Sequence, residues 1–375
     1  MTSGVLLQVA FFVALIVVIV IHEAAHFGVA KAFKIKVEEF FVGFGPRMWS
    51  TRRGETEYGI KWIPAGGYVK IAGMNPFQPP AEEDLPRTFG AKPIWQRALV
   101  IVAGPATHFV LAFIFFAVWL GAIGQPVPNS PIVNAVSPEL GGVESPAAAV
   151  GLRVGDRIVA IGSLHDPTDA QLVAITRAHV GEPLDMTIER DGEGIPVTVT
   201  PVLATVAGQR VGRIGVLLGE ARETSGVVGS VGGSVKLVGS AIAQTIGGLG
   251  RIFGPEGVGR LFKLLLTNAP RRTSDPASVV GIGRVVSQTA QSGSAWDILY
   301  IFALVNVFIG LLNLLPLPPF DGGHLAVLAV ERLRGGKTID MRKLVPISAA
   351  VAAFFILFTF AVIYLDIAKP INLAP

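Results

Sequence analysis

Four apolar segments dominate the pattern of this chain. They cover residues 4–27, 98–123, 298–317 and 345–365, and each is long enough to cross a bilayer as a helix. The stretch from 125 to 295 instead has a soluble domain followed by segments rich in small residues. The pattern predicts a multi-pass α-helical membrane protein with about four transmembrane helices.

Composition agrees with a membrane protein. Of 375 residues, 51% are hydrophobic and 15% charged, whereas soluble domains carry about 25% charged residues. The net charge of +4 is better explained by basic loops beside a lipid bilayer than by a nucleic-acid partner, which we do not expect. The chain has no Cys, so a metal site must use His and carboxylate ligands.

Basic residues predict the orientation. The loops 32–97 and 325–344 are rich in Lys and Arg, and such loops remain in the cytoplasm. Both termini and the long segment 125–295 are then extracytoplasmic, in a cell inner (plasma) membrane. The first and third apolar segments run in the same direction, so polar motifs at their ends come to one depth near the cytoplasmic side.

The predicted boundaries follow from these segments. They are a first transmembrane helix (1–31), a cytoplasmic loop (32–97), a second helix (98–124), a soluble domain (125–205), a linker with amphipathic helices (206–295), a third helix (296–324), a cytoplasmic loop (325–344), and a fourth helix with a short tail (345–375). In the linker, residues 227–250 are too rich in glycine to predict a span. Residues 257–266 are amphipathic, which suits either an interfacial helix or an ordinary packing helix.

The first cytoplasmic loop contains two β-prone runs on either side of Pro64-Ala-Gly-Gly67, a turn signal. We predict a membrane-associated β-hairpin over 54–73. It is either an ordinary surface hairpin or a strand edge that pairs with an extended substrate. On the second interpretation its substrate-positioning residues are Gly66, Gly67, Tyr68 and Val69.

The segment 127–203 has the composition of a small α/β domain. The run Gly151-Leu-Arg-Val-Gly-Asp-Arg-Ile158 resembles the hallmark of a bacterial PDZ domain. Helix is predicted over 171–179 and a strand pair over 184–202. An extracytoplasmic PDZ domain binds a peptide or a substrate ectodomain by strand addition, or acts only as a steric plug.

A pentad, HEAAH, runs from His22 to His26 at the end of the first apolar segment. Residues four apart share a helix face, so His22 and His26 can offer two imidazoles to one zinc ion, and Glu23 can accept a proton from a water there. Ionisable groups are costly in hydrocarbon and occur there mainly for function. A catalytic zinc needs a third protein ligand. The candidates are Asp321, just after a helix broken by Pro316, Pro318 and Pro319, then His324, and also His108, Glu331 and Asp366.

These motifs together resemble the site-2 proteases, membrane-embedded zinc metalloproteases, in their bacterial single-PDZ branch. The pentad matches His-Glu-x-x-His, residues 313–322 match Asn-x-x-Pro-x-Pro-x-Leu-Asp-Gly, and Gly104-Pro105 begins a Gly-Pro-x-x-Asn motif. The resemblance implies that His22, His26 and Asp321 bind Zn²⁺, that Glu23 is the general base, and that Asn313 positions substrate. It implies cleavage of transmembrane segments of single-span proteins such as anti-sigma factors, in regulated intramembrane proteolysis.

Two positions depart from the family pattern. Phe320 stands in place of Leu, and His108 in place of Asn. His108 can donate a hydrogen bond or cap a buried polar group. Two other classes of function use similar residues, namely a membrane zinc transporter or sensor, and a catalytically silent PDZ scaffold. A general base beside the ligands and a peptide-binding domain favour the protease.

Overall fold

The computed structural model describes residues 3–75, 77–140, 142–206, 209–272, 274–291 and 297–370. Within those ranges the chain forms two compact units. The first contains residues up to 117, 231–291 and those from 297 onward, and the second contains 118–230. The last residues of the predicted tail, 371–375, lie outside the described part.

Long apolar helices form the framework of the first unit. Helices α1 (Ser3–Ala32), α2 (Ile94–Val118) and α10 (Val345–Ala368) belong to the described segments that are long and apolar enough to cross a membrane. Helix α8 (Asp297–Asn313) covers the third predicted span but is shorter. It ends at Asn313 because the following prolines cannot continue a helix.

The linker is more helical than its glycine content suggested. Helix α5 (Val227–Phe253) is continuous over 27 residues and is followed by α6 (Pro255–Leu266) and α7 (Val279–Gln291). Each interior Gly costs a helix roughly 1 kcal/mol relative to Ala. Tertiary packing offsets that cost, since Ala241 of α5 is buried in a core with Phe116 and Val307. The helical prediction for 257–266 is confirmed by α6.

The hairpin differs from the prediction. Strand β1 (Val37–Arg53) pairs with β2 (Thr56–Ile71), so the turn lies between them and residues 64–67 fall inside β2. Phe40 faces both Val69 and Tyr58. The two β-prone runs therefore flank β1 instead of pairing with each other, and residues 67–71 form an edge of this small sheet.

The second unit is built on an antiparallel sheet. Its strands are β3 (Gln125–Val136), β4 (Glu139–Leu140), β5 (Val143–Glu144), β6 (Arg157–Ile161), β7 (Leu164–His165), β8 (Leu184–Arg190), β9 (Glu193–Val199), β10 (Val202–Val206), β11 (Gln209–Arg213) and β12 (Val216–Glu223). The main sheet has the order β12-β3-β6-β8-β9, with β7 beside β6, while β4–β5 and β10–β11 are separate pairs.

Helices α3 (Pro146–Ala149) and α4 (Asp169–Ala178) complete this unit. Thr168 caps α4 in a capping box with Gln171, which explains where that helix begins. Leu172 of α4 packs on Ile158, Met186 and Ile188 of the sheet in one hydrophobic core. The helix predicted over 171–179 and the strand pair around Asp191-Gly192 are confirmed.

Candidate metal centre

Helix α1 presents two imidazoles on one face. His22 and His26 are one turn apart, each is 7% exposed, and their Nε2 atoms lie 3.1 Å from each other. Two imidazole nitrogens this close, with no room for a proton on both, suit a shared cation. The i, i+4 spacing of the pentad therefore has the expected geometric result.

Asp321 completes a group of three donors. It is the first residue of helix α9 (Asp321–Leu333), and its Oδ2 lies 3.3 Å from His22 Nε2 and 3.4 Å from His26 Nε2. In a tetrahedral zinc site with bonds of about 2.0–2.1 Å, ligand atoms are about 3.3 Å apart. The donor set, two imidazoles and one carboxylate, and its spacing thus fit zinc with one position left for water or substrate.

A backbone carbonyl orients one of the imidazoles. His26 Nδ1 lies 2.7 Å from the Val100 carbonyl oxygen. A carbonyl only accepts, so Nδ1 carries the hydrogen and Nε2 keeps its lone pair toward Asp321. Sequence reasoning missed Val100, because a backbone contact leaves no signal in residue type.

Helix α2 approaches the two imidazoles closely at Gly104. A Cβ there would lie 2.2 Å from His26 Nε2 and 2.7 Å from His22 Cε1. Only glycine fits, since real Cβ atoms do not approach other atoms this closely. The glycine of the Gly104-Pro105 motif is therefore required by the position of the imidazoles.

Glu23 faces the edge of the hairpin sheet. The Val69 backbone N–H lies on the side of the strand that faces the Glu23 carboxylate. A Cβ on Gly67 would lie 3.1 Å from Glu23 Cγ and 3.2 Å from the Phe41 carbonyl oxygen. Strand β2 and the predicted base thus come together, although they are distant in sequence.

The other predicted substrate-positioning residues have different surroundings. Gly66 has φ +150°, and a Cβ there would lie 2.6 Å from the Phe44 ring. The Tyr68 ring stacks on Phe41, with centroids 5.7 Å apart, and its hydroxyl donates to Glu39. Asn313 is half-buried at the last position of α8. A role for these side chains in holding substrate remains a prediction.

The remaining candidates for the third ligand have other neighbours. His324 is one turn beyond Asp321 and lines a small cavity of about 170 Å³ together with Glu331. Glu331 forms an ion pair with Arg97, and Asp366 one with Arg271. His108 contacts the far nitrogen of His22, Nδ1, at 3.1 Å. Among the described residues, the three-donor group consists of His22, His26 and Asp321.

Comparison with known proteins agrees with this site. Residues 10–359 match the model of Peptidase family M50. Because that match covers most of the chain, the protein belongs to Peptidase family M50. The resemblance to the site-2 proteases, and with it the prediction of a zinc-dependent peptidase, is confirmed.

Relatives match over most of their length. The zinc metalloprotease Rip1 of Mycobacterium tuberculosis is 31% identical over 97% of this chain and 98% of its own. A putative zinc metalloprotease of Brucella suis is 34% identical over 87% and 86%, and the zinc metalloprotease RasP of Geobacillus kaustophilus is 29% identical over 89% and 91%. A PDZ domain from Listeria monocytogenes matches 25% of this chain and 92% of its own at 18% identity, with a TM-score of 0.21, which is too weak a likeness to support an argument.

Proposed function

We propose that the protein is an intramembrane zinc endopeptidase that cleaves transmembrane segments of single-span membrane proteins. One observation carries the proposal: Nε2 of His22, Nε2 of His26 and Oδ2 of Asp321 lie 3.1–3.4 Å apart, with Glu23 in the same helix. Helix α1, which holds three of these residues, is apolar and long enough to cross a bilayer. Ionisable side chains in a membrane-spanning helix cost free energy, so we expect them to have a functional role.

Each residue has a chemical role in this proposal. His22, His26 and Asp321 would hold the zinc ion, which would supply Lewis acidity for the scissile carbonyl and for a water. Glu23 accepts the proton of the attacking water and returns it to the leaving amine. The low dielectric around the buried His22 and His26 imidazoles strengthens the electrostatic effect of the site on the developing charge.

The edge of the hairpin sheet is proposed to hold the substrate. A transmembrane helix ties its carbonyls into hydrogen bonds and must unwind before a peptide bond is accessible. Residues 67–71 form a sheet edge beside Glu23, which supports pairing with an unwound, extended segment. Gly66, Gly67, Tyr68 and Val69 are the proposed positioning residues on this edge, and Asn313 is proposed to assist from α8.

The second unit is proposed to be a PDZ domain that binds a peptide or a substrate ectodomain. A groove of about 260 Å³ runs between α4 and β12, with Val173 and Leu217 exposed on its walls. Strand β12 is at the sheet edge, so its outer side is open to strand addition. Leu217→Arg should weaken binding of peptides from the substrate ectodomain in solution. Unchanged binding and cleavage would favour a domain that only restricts access.

The proposed setting is regulated intramembrane proteolysis in the cell inner membrane, with anti-sigma factors as the substrate class. Basic residues between the apolar segments support cytoplasmic placement of β1, β2 and residues 325–344, and extracytoplasmic placement of the second unit. A reporter active only outside the cytoplasm should work when fused after Leu203 and fail after Gly336. The reverse pattern would refute this orientation.

The test of the activity is Glu23→Gln, which keeps the size of the side chain and removes its basicity. Bound zinc should remain, while cleavage of a transmembrane substrate in detergent should fall about 100-fold or more. Glu256→Gln, far away in sequence on α6, is the matched control and should cleave normally. Ordinary turnover by Glu23→Gln would refute the mechanism, and zinc transport by that variant without proteolysis would indicate a transporter.

A further inference from the structure

A chain of three buried side chains leads away from the metal centre on the side opposite Asp321. His22 Nδ1 lies 3.1 Å from His108 Nε2, and His108 Nδ1 lies 3.2 Å from Asn306 Oδ1. Asn306 Nδ2 in turn donates to the Phe302 carbonyl oxygen at 2.8 Å. His108 is 1% exposed and Asn306 0%, so water does not replace these partners. These hydrogen-bonded side chains join helices α1, α2 and α8, which are distant in sequence.

The positions of the hydrogens between His22, His108 and Asn306 follow from the Phe302 carbonyl oxygen, where this series of hydrogen bonds ends. The Phe302 carbonyl can only accept, so the Asn306 amide turns its NH₂ toward it and its oxygen toward His108. That oxygen also only accepts, so His108 Nδ1 carries a hydrogen. A buried imidazole without a carboxylate partner is neutral, because burying its charge is costly. His108 Nε2 is therefore an acceptor.

The same logic reaches His22. Since His108 Nε2 accepts, His22 Nδ1 must donate, and the hydrogen of the neutral His22 ring is on Nδ1. The lone pair is then on Nε2, the atom that lies 3.3 Å from Asp321 Oδ2. A metal-binding imidazole needs this tautomer, and outer partners of a ligand fix both the tautomer and the orientation of its ring.

We propose that His108 and Asn306 are positioning residues that hold His22 in the tautomer and orientation that bind zinc. The inference rests on the proposed metal site. It gives His108, which departs from the family motif, a definite role. The two imidazoles then differ in the group that orients them. The backbone carbonyl of Val100 orients His26, whereas the side chain of His108, which can be substituted, orients His22.

The decisive variants are His108→Ala, His108→Gln and Asn306→Leu. Gln carries its amide oxygen at about the distance of Nε2 from Cβ, so it can still accept from His22, whereas Ala cannot. Asn306→Leu keeps the volume and removes the acceptor for His108. Thr107→Val is the matched control, because Thr107 is next to His108 but its hydroxyl donates within its own helix, to the Gly104 carbonyl oxygen.

The measurements are the zinc dissociation constant, from competition with a chelator, and the visible absorption of the Co²⁺-substituted full-length protein. His108→Ala should bind zinc about 10- to 100-fold more weakly and change the Co²⁺ spectrum. The zinc affinity of Asn306→Leu should lie between that of wild type and that of His108→Ala. His108→Gln should recover most of the affinity and the spectrum, and Thr107→Val should match wild type.

Two outcomes would overturn the proposal. One is wild-type zinc affinity in both His108→Ala and Asn306→Leu. The other is a His108→Gln variant as weak as His108→Ala, which would mean that ring volume matters and the hydrogen bond does not. Should His108→Ala fail to fold, His108→Gln and Asn306→Leu still decide the question. Failure of the proposed metal site can be told apart from failure of this proposal, since zinc would then also persist in His22→Ala and Asp321→Ala.

Discussion

Arg97 and Glu331 form a buried ion pair, with Arg97 Nη1 2.8 Å from Glu331 Oε2 and only 8% and 5% of their side chains exposed. Arg97 is in the first turn of α2, and Glu331 is near the end of α9, the helix that begins with Asp321. The other carboxylate oxygen of Glu331, Oε1, accepts from the Ile339 N–H at 3.1 Å. This pair thus joins the helix that carries a metal donor to the helix that packs against both imidazoles.

Removing one member of the pair should be strongly destabilising. Glu331→Gln leaves the Arg97 charge buried without a counter-charge, which costs about 3–5 kcal/mol in comparable sites. The double variant Arg97→Met with Glu331→Met should be much less affected, because neither charge remains. Thermal unfolding of the purified proteins in one detergent, at one scan rate, compares the three. Equal loss in the single and double variants would mean that the pair contributes little beyond packing.

The identity of the third ligand is tested by Asp321→Ala and His324→Ala. We expect zinc stoichiometry to collapse in Asp321→Ala, because two imidazoles are too few ligands for a stable site. His324→Ala is the matched control one helical turn away and should keep its zinc. Metal analysis after gel filtration gives the answer. If Asp321→Ala kept its zinc and His324→Ala lost it, His324 and not Asp321 would be the third ligand.

The role of the sheet edge is tested at Val69. Its N–H points out of the edge toward Glu23, and proline removes that donor. Val69→Pro should lower cleavage about tenfold, because it removes the edge N–H beside the base and disturbs pairing along the edge, while zinc binding persists. Val69→Ala is the control and should cleave nearly as wild type. Ile71 is a poorer site for the same test because it is buried in the core. Equal, near-normal cleavage by both Val69 variants would make the hairpin a surface feature only.

The second unit should lose stability in acid through Asp156. The Arg190 guanidinium, at 2.7 Å to both carboxylate oxygens, and the Arg153 N–H hold the pKa of Asp156 below its usual value of 3.8. A lowered folded-state pKa stabilises the fold above the unfolded value, and the gain is lost as pH falls through the folded value. Wild type should therefore be more stable than Asp156→Asn at pH 7.

This advantage should shrink progressively as the pH drops below about 4, where the unfolded carboxyl binds its proton. Hydrogen exchange of the β6 and β8 amides in the full-length protein, corrected for the intrinsic rate at each pH, measures it. A constant difference between the two proteins from pH 7 down to pH 3 would show that the charge of Asp156 is not the cause.

Local patterns accounted for much of the fold. Lengths of apolar runs predicted α1, α2 and α10, because a helix that crosses a bilayer needs about 20 apolar residues whatever surrounds it. The pattern of residues 171–202 was likewise sufficient to predict α4, β8 and β9. Where packing overrides propensity the patterns misled, as for the glycine-rich α5 and for the turn signal at 64–67, which lies inside β2.

The sequence by itself determined which residues carry chemistry: the spacing of His22 and His26 puts them on one helix face by helical geometry alone. Only the tertiary structure decided which distant groups meet them. Asp321 was expected from the family motif, and the structure places it on α9 beside both imidazoles; Val69 reaches Glu23 from a strand edge, and His108 is joined to Asn306, 198 residues away in sequence. Such contacts depend on how helices and strands pack, and packing sums many weak interactions that no single stretch of sequence contains.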